Sequence, residues 1–365
     1  MAPQVIIAGD VWPVAVGTQT LAERLGLAER PELFLWTLDG VLAAGTARPG
    51  QTCLPFEAAD LDELRLAKVN VAVTASNHVT DFGDAGLRAT LGELSSRGFE
   101  HVGAGCNRQQ ADQNLYLDLP MGRVAILAFA ETDSRVYGIP AGPNSGGIRP
   151  LLAETCLAAV ADAANQADWV WVVLHWGEEF VRYPDPSQRQ LAWDLVDAGA
   201  SLIVASHVHV PLGYERRGDK LIAYGLGNLI FPPYRELRGF TYRWHPTARQ
   251  GIVLEGQCRQ SKWEWSLREI RHDGRGLPRL GQHGNCPDYA RTLPTSLEEY
   301  QRQYPALRKR ERLHFMWQRI LFMNWQERLM RIERLFRRGS FRSATGPSIA
   351  TSDAPPPDGA DRDLA

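Results

Sequence analysis

Short apolar runs alternate with amphipathic stretches through the first two-thirds of the chain. The runs Val5–Ala8, Leu33–Leu38, Val69–Thr74, Val124–Ala130, Trp169–Leu174 and Leu202–Ala205 are short and rich in branched and aromatic residues. That pattern predicts buried strands. Between them, Thr18–Leu27, Leu61–Ala67, Gly86–Arg97, Leu151–Ala164 and Gln188–Val196 space their apolar residues at helical intervals, as Leu87, Leu91 and Leu94 do. Strand–helix alternation of this kind predicts an α/β domain whose central sheet is covered on both faces. After Tyr214 the helical spacing stops. Lys220–Tyr224, Gly251–Leu254 and Lys262–Ile270 read as strands that extend the sheet in antiparallel fashion.

The chain divides into a domain over 1–271, a Pro/Gly-rich linker over 272–296, a basic helical segment over 297–339 and a tail over 340–365. The tail is too polar to bury the surface that ordering needs. In the helical segment, Leu313, Trp317, Leu321, Trp325, Leu329, Ile332 and Phe336 form an apolar stripe. Twelve Arg or Lys residues face three Glu between Gln301 and Arg342, in a chain whose net charge is only −2. Either this stripe packs on the domain with its arginines in water, or residues 313–336 meet an anionic membrane surface or a synthase partner.

With 44% hydrophobic residues in 365, a large core can form. Five scattered cysteines (Cys53, Cys106, Cys156, Cys258 and Cys286) make neither a disulfide framework nor a thiolate metal site, and they suit a reducing compartment. The N-terminus lacks the basic and apolar regions of a signal peptide, and no run approaches the ~20 apolar residues of a membrane span. A cytoplasmic protein, peripheral to the inner membrane if the basic helix binds it, is the expectation. Without a basic excess in the body or a base-stacking platform, nucleic acid is not an expected partner.

Candidate chemistry gathers where polar residues first follow apolar strands. These are Asp10, Asp39, Ser76-Asn77-His78, His175 and His207-Val208-His209. In α/β sheets, function collects at loops beyond the carboxyl ends of strands. Two histidines at i and i+2 can aim at one volume, and His175 ends a neighbouring strand. Three imidazoles at one sheet edge suit a transition metal; the alternative is that they cap strands through backbone carbonyls. Arg182 and Tyr183 either meet an anionic substrate or belong to a surface loop. Asn228 either binds substrate or fixes its own glycine-rich loop. One of Glu178 and Glu179 is expected to support the metal ligands. Glu131 and Asp133 read as a solvated turn.

The motifs Ala8-Gly9-Asp10, Ala75-Ser76-Asn77-His78-Val79-Thr80-Asp81-Phe82-Gly83, Val102-Gly103-Ala104-Gly105 and His175-Trp176-Gly177-Glu178-Glu179 follow one another along the chain. Asp197-Ala198-Gly199-Ala200, His207-Val208-His209 and Tyr224-Gly225-Leu226-Gly227-Asn228-Leu229-Ile230-Phe231 continue the series. In this order, from Val5 to about Phe231, the chain resembles the CapA-type capsule and poly-gamma-glutamate biosynthesis proteins, a branch of the calcineurin-like metallophosphoesterases. The resemblance implies a metallophosphoesterase-like four-layer α/β/β/α sandwich, here with a C-terminal helical extension. It also implies two divalent transition-metal ions: Mn, Fe or Zn.

By that resemblance Asp39 bridges the ions, Asn77, His175 and His207 complete one shell, and Asp10 and His209 hold the other ion. His78 stands by as proton donor to a leaving group, or as an orienting group held by Asp81. Two residues depart from the pattern. Trp12 stands where the wider superfamily has a His, and Asp39 is one methylene shorter than the family's usual Glu. The implied activity is hydrolysis of a phosphoester or amide-like bond in polymer biosynthesis. The implied substrate is an anionic polymer or a phosphoester. A non-catalytic metal- or polyanion-binding assembly component is the rival reading.

Overall fold

The computed structural model describes residues 4–15, 17–49, 52–132, 137–232, 234–237, 240–243, 248–283 and 293–322. In the first sheet, β1 (Val5–Val11), β2 (Leu33–Leu38), β3 (Val69–Val73) and β4 (Glu100–Val102) run in parallel. In the second, β5 (Leu115–Leu119) forms a hairpin with β6 (Gly122–Ala130), followed in parallel by β7 (Trp169–His175) and β8 (Leu202–Ser206). A second hairpin, β9 (Tyr214–Arg217) and β10 (Lys220–Ala223), closes that sheet in the order β9-β10-β8-β7-β6-β5. The chain then returns to the first sheet. There β11 (Asn228–Ile230) lies parallel to the end of β1, and β12 (Gln250–Arg259), β13 (Lys262–His272) and β14 (Pro278–His283) add an antiparallel wing.

The two sheets pack face to face because their strands are apolar on both sides. Val5, Ile7, Leu33, Leu35, Val71 and Val73 from the first meet Val124, Ile126, Trp171, Val173, Leu202 and Val204 from the second in one buried cluster. The alternate residues face outward. Outside the second sheet, Leu127, Phe129, Val172 and Leu174 are covered by α3 (Ala153–Ala164) and α4 (Pro186–Asp197), and by Tyr300 and Tyr304 of α5 (Leu297–Phe322). Outside the first, Ile6, Phe34 and Trp36 are covered more thinly. Their cover is α1 (Leu21–Arg24), the 3-10 turn Ala58–Leu64 and Leu94 of α2 (Gly83–Ser96). The layering is α/β/β/α.

Several expectations change in detail. Lys220–Ala223 joins the second sheet, parallel to β8 on one side and antiparallel to β9 on the other. The antiparallel wing is real but belongs to β12 and β13. The connection over 272–296 contributes β14, the outermost strand of the first sheet. Pro278 opens that strand at the sheet edge, where a missing backbone donor costs little. Leu61–Ala67 is a 3-10 segment that ends at Leu64 rather than an α-helix.

In α5 the packed face is not the stripe read from sequence. Tyr300 and Tyr304 are buried, with Leu307 and Phe315 packed beside them, whereas Leu313 and Trp317 are exposed. Trp325, Leu329, Ile332, Phe336, the tail over 340–365, Asp133 and Cys286 lie outside the described residues, as does the side chain of Leu321. Among the described residues no helix is long and apolar enough to cross a membrane.

Trp171 anchors the contact between the sheets. Its ring centroid lies 5.2 Å from that of Trp263 and 5.6 Å from that of Trp265, both on β13. Trp171→Ala should therefore destabilise the domain by about 3–5 kcal/mol, read as a lower denaturant midpoint with an unchanged slope.

His272 supplies a pH-dependent tie. Its Nε2 bonds the Leu229 carbonyl at 3.0 Å, and burial pushes its pKa from 6.5 down to about 4. The unfolded chain then binds the extra proton first as pH falls, so stability is full above pH 6.5 and is lost between 6.5 and about 4. His272→Gln, which keeps a donor but does not titrate, should flatten part of that slope in denaturation curves measured across the range.

Candidate metal centre

Parallel pairing brings the chemistry to one edge. The register sets Asp10 opposite both Thr37 and Asn228, and His175 opposite Ser206. The ends of β1, β2, β7 and β8 thus stop level with one another, and the polar residues that follow them converge. Asp10, Asp39, His175, His207 and His209 are all within 2% of complete burial.

The two carboxylates lie between two imidazoles. Asp10 Oδ1 is 3.8 Å from His175 Nδ1, and its Oδ2 is 3.6 Å from His209 Nδ1. Asp39 Oδ1 is 4.0 Å from His175 Nε2, and its Oδ2 is 3.8 Å from His209 Nε2. Asn77 Oδ1 stands 2.8 Å from His175 Nε2. The His207 ring is 4.8 Å from that of His175 and 6.0 Å from that of His209, centroid to centroid. Shorter than a glutamate though it is, Asp39 still reaches both rings.

The turn that aims His207 and His209 is strained. Both adopt left-handed backbone, with φ of 87° and 57°. Non-glycine residues held there cost roughly 1–3 kcal/mol each and persist where their surroundings enforce them. Asp10 enforces part of it, because its Oδ2 accepts the His207 backbone N–H at 2.9 Å. Asp10 itself is fixed by Gly227, whose carbonyl accepts the Asp10 N–H at 3.0 Å. A Cβ at Gly9 would stand 1.9 Å from that same oxygen, so only glycine lets the two loops approach.

Each ring is oriented by a group the motif reading had not assigned to it. Ser206 Oγ donates to Thr37 Oγ1 at 3.2 Å and so is left to accept from His175 Nδ1 at 3.1 Å. The Nε2 of His175 faces Asn77. Asn228 donates its Nδ2 to the Ala248 carbonyl at 3.1 Å, which turns its Oδ1 to His209 Nδ1 at 2.9 Å. The Nε2 of His209 then faces Asp39. Asn228 is fully buried and bonded at both amide atoms, so it orients the His209 ring as well as fixing its own loop. Metal-bound histidines commonly donate their second nitrogen in this way. Ser206 adjoins His207 in sequence, but its partner is fixed only when β7 and β8 pair.

Electrostatics points the same way. Burial, reinforced by His207, holds His175 and His209 well below the usual imidazole range, so both are neutral at pH 7. Burial pushes Asp39 up to about 7, and burial with the nearby Asp39 charge raises Asp10. Both oxygens of Asp39 and Oδ1 of Asp10 are buried without a hydrogen-bond partner. Two partly orphaned carboxylates among neutral nitrogen donors, with no thiolate, fit divalent Mn, Fe or Zn. One ligand atom from each of Asp10, Asp39 and His175 lies within 4.8 Å of the others.

His78 differs from the other imidazoles. Its Nδ1 bonds Asp81 Oδ2 at 2.8 Å, and Asp81 also accepts the Leu54 N–H at 2.8 Å. Burial lowers its pKa, but the charges of Asp81 and Asp39 outweigh that and raise it to about 9. Its side chain keeps 13% exposure. Trp12 fills the position of the missing histidine as an apolar wall. Its indole donates to the Pro55 carbonyl at 2.8 Å and packs on Phe231.

The remaining residues are placed differently. Arg182 faces Glu311 at 3.7 Å, and the Tyr183 hydroxyl accepts from Arg310 at 2.7 Å, so both engage α5. Glu178 also faces α5, and Glu179 is the glutamate whose charge reaches Asp39 and His78. Glu131 is not a solvated turn. It accepts the Gly177 N–H at 2.9 Å and the Gln188 side chain at 3.3 Å, which braces the turn after His175. A backbone donor two residues past His175 leaves no trace in local sequence.

Comparison with known proteins agrees with the motifs. The chain is 36% identical over 158 residues to the PGA biosynthesis protein CapA of Bacillus subtilis (strain 168), across 43% of this chain and 41% of that protein. It is 26% identical over 189 residues to a probable polyglutamine synthesis accessory protein of Mycobacterium tuberculosis, across 49% of each. The match thus spans less than half the length of these relatives. Among solved structures, a putative 5'-nucleotidase from Staphylococcus aureus in complex with alpha-ketoglutarate aligns with 12% identity and a TM-score of 0.41, over 82% of this chain and 57% of that one. A calcineurin-like phosphoesterase from Bacillus subtilis aligns with 10% identity and a TM-score of 0.36, over 87% of this chain and 100% of that one. Residues 18–233 match the family described as bacterial capsule synthesis protein PGA_cap and take in every residue of the centre except Asp10. The chain belongs to that family of capsule synthesis proteins.

Proposed function

We propose that this protein is a metal-dependent hydrolase acting in the formation of a capsule or poly-gamma-glutamate type polymer, on a phosphoester or amide-like bond of an anionic substrate. The observation that carries the reading is the pair of buried carboxylates, Asp10 and Asp39, set between neutral His175 and His209 with oxygens left unpartnered. Asn77, His175 and His207 would hold one divalent ion, Asp10 and His209 the other, with Asp39 shared. Such ions supply Lewis-acid polarisation of the scissile group and activation of water.

The chain's own residues do the rest. His78, protonated at neutral pH, donates from Nε2 to the departing group while Asp81 holds its Nδ1. Trp12, Phe180 and Phe231 wall the site and exclude bulk water. Ser206 and Asn228 keep the imidazoles turned inward.

A second reading has a specific observation in its favour. The relative from Mycobacterium tuberculosis carries the name of a synthesis accessory protein. Here the site would bind a metal or a polyanion within an assembly and turn nothing over. Turnover separates the two readings: Mn-loaded protein that cleaves neither aryl phosphates nor gamma-glutamyl peptides favours the accessory role.

The metal assignment has its own test. Protein dialysed against Mn should hold close to two ions, and His207→Ala should lose at least one of them. Full occupancy of that variant by elemental analysis removes His207 from the ligand set.

The acid role is tested by leaving group. His78→Gln should retain metal yet slow hydrolysis of alkyl phosphates by about 10²–10⁴-fold, with nitrophenyl phosphates far less affected because nitrophenolate departs without a proton. The native rate on alkyl esters should decline as pH rises through about 9, where His78 loses its proton, and the variant should lack that limb. Equal slowing on both substrate types would exclude His78 as the acid.

A further inference from the structure

The stretch Glu178–Val181 lies between the metal centre and α5 and is tied to both. On the inner side, the Phe180 backbone N–H donates to the Val208 carbonyl at 2.9 Å, in the middle of the His207–His209 turn. The Phe180 ring stacks on His209 with 6.2 Å between centroids and 29° between planes. Between these anchors sits Glu179, whose charge reaches Asp39 and His78.

On the outer side, the Glu178 carboxylate accepts from Arg308 at 2.7 Å and also from Arg312, one helical turn on. The Phe315 ring stacks on Phe180, nearly parallel at 5° and 4.3 Å between centroids. Arg310 and Glu311 engage Tyr183 and Arg182 in the same stretch. The start of the helix is pinned independently. The buried Tyr300 donates to the Pro184 carbonyl at 2.6 Å beneath the Arg189 guanidinium.

Phe180 is held in left-handed backbone with φ of 65°, a conformation that a phenylalanine does not keep unaided. Its stacks with His209 and Phe315 and its backbone bond to Val208 supply the constraint. His209 has one nitrogen on Asn228 and the other towards Asp39, so its remaining freedom is tilt of the ring plane. The Phe315–Phe180 stack bears on that tilt.

We infer that residues 308–315 of α5 set the metal subsite of Asp10 and His209. Phe315, with Arg308 and Arg312 on Glu178, clamps the loop so that Phe180 backs the His209 imidazole and Glu179 faces the centre. Phe180 and Phe315 are positioning residues that touch no reacting atom. This inference rests on the metal-dependent reading above and deepens it, by making one of two ion sites depend on a helix that lies beyond the family match at residue 233.

The test is the rate at which Mn leaves the loaded full-length protein on addition of a chelator. Native protein should release its two ions in two phases. Phe315→Ala should speed one phase by about 10–100-fold, the range typical of groups that orient a ligand, and leave the other within twofold. Phe315→Tyr, which keeps the stacked ring, should restore the native rate. If Phe315→Ala does not fold, judged by circular dichroism, Glu178→Gln loosens the same clamp and should accelerate the same single phase.

Native release kinetics in a folded Phe315→Ala protein would overturn the inference. Equal acceleration of both phases would also overturn it, since general loosening does not select one ion. Native protein that holds no ion at all would overturn the metal reading and this inference with it, whereas native protein holding two ions beside an unperturbed variant defeats the inference alone.

Discussion

Two carboxylates buried side by side are unfavourable in a protein interior, because neither is solvated and each raises the cost of charging the other. Asp10 and Asp39 are held in that arrangement by strands that cannot move, since β1 and β2 lie in the middle of the first sheet with apolar residues packed on both faces. The sandwich supplies the rigidity, and the edge where its parallel strands end carries the electrostatic tension. A divalent cation bound there would relieve that tension by turning mutual repulsion into shared attraction. Much of the local architecture makes sense as the means of holding these groups in place.

The supports come from several parts of the chain. Gly9 and Gly227 let two loops touch so that Asp10 can reach the His207–His209 turn. Ser206 and Asn228 turn rings, Asp81 charges His78, and Glu131 steadies the turn behind His175. Among the described residues, left-handed non-glycine backbone occurs at His207, His209 and Phe180 around the centre, and elsewhere at Tyr137 and in the Gln260-Ser261 hairpin turn. Three such residues around one site fit a rigid scaffold that enforces a functional geometry. The region matched to the family, residues 18–233, excludes β1 and α5, which contribute Asp10 and the contacts on Glu178 and Phe180.

Much of the scaffold was legible in the order of residues. Apolar runs such as Leu33–Leu38 and Trp169–Leu174 announce strands because burial on both faces demands continuous hydrophobicity. Asp10, Asn77, His175, His207 and His209 announce themselves because each is a metal-capable side chain directly after such a run. Short or polar strands were not legible. Leu115–Leu119, Tyr214–Arg217 and Pro278–His283 are edge or hairpin strands whose hydrogen bonds come from neighbours rather than from their own composition. Nor did periodicity identify the packed face of α5, because Tyr300, Tyr304 and Phe315 are interrupted by charged residues while Leu313 and Trp317 form the cleaner stripe and stay exposed.

By itself, the sequence determined the strand–helix order, the set of metal-capable residues at the strand ends and the family they mark, since these depend on local side-chain type and spacing. Only the tertiary structure decided which nitrogen of each histidine faces the centre, that Asn228 and Ser206 are its orienting partners, and that Arg182 and Tyr183 turn towards the C-terminal helix. The physical reason is directional. A hydrogen bond or a ring stack needs two groups at a fixed distance and angle, and those groups come from strands and loops far apart in the chain, 169 residues for Thr37 and Ser206 and 197 for Asp10 and His207. No local pattern encodes that separation; the packing of one sheet on the other creates it.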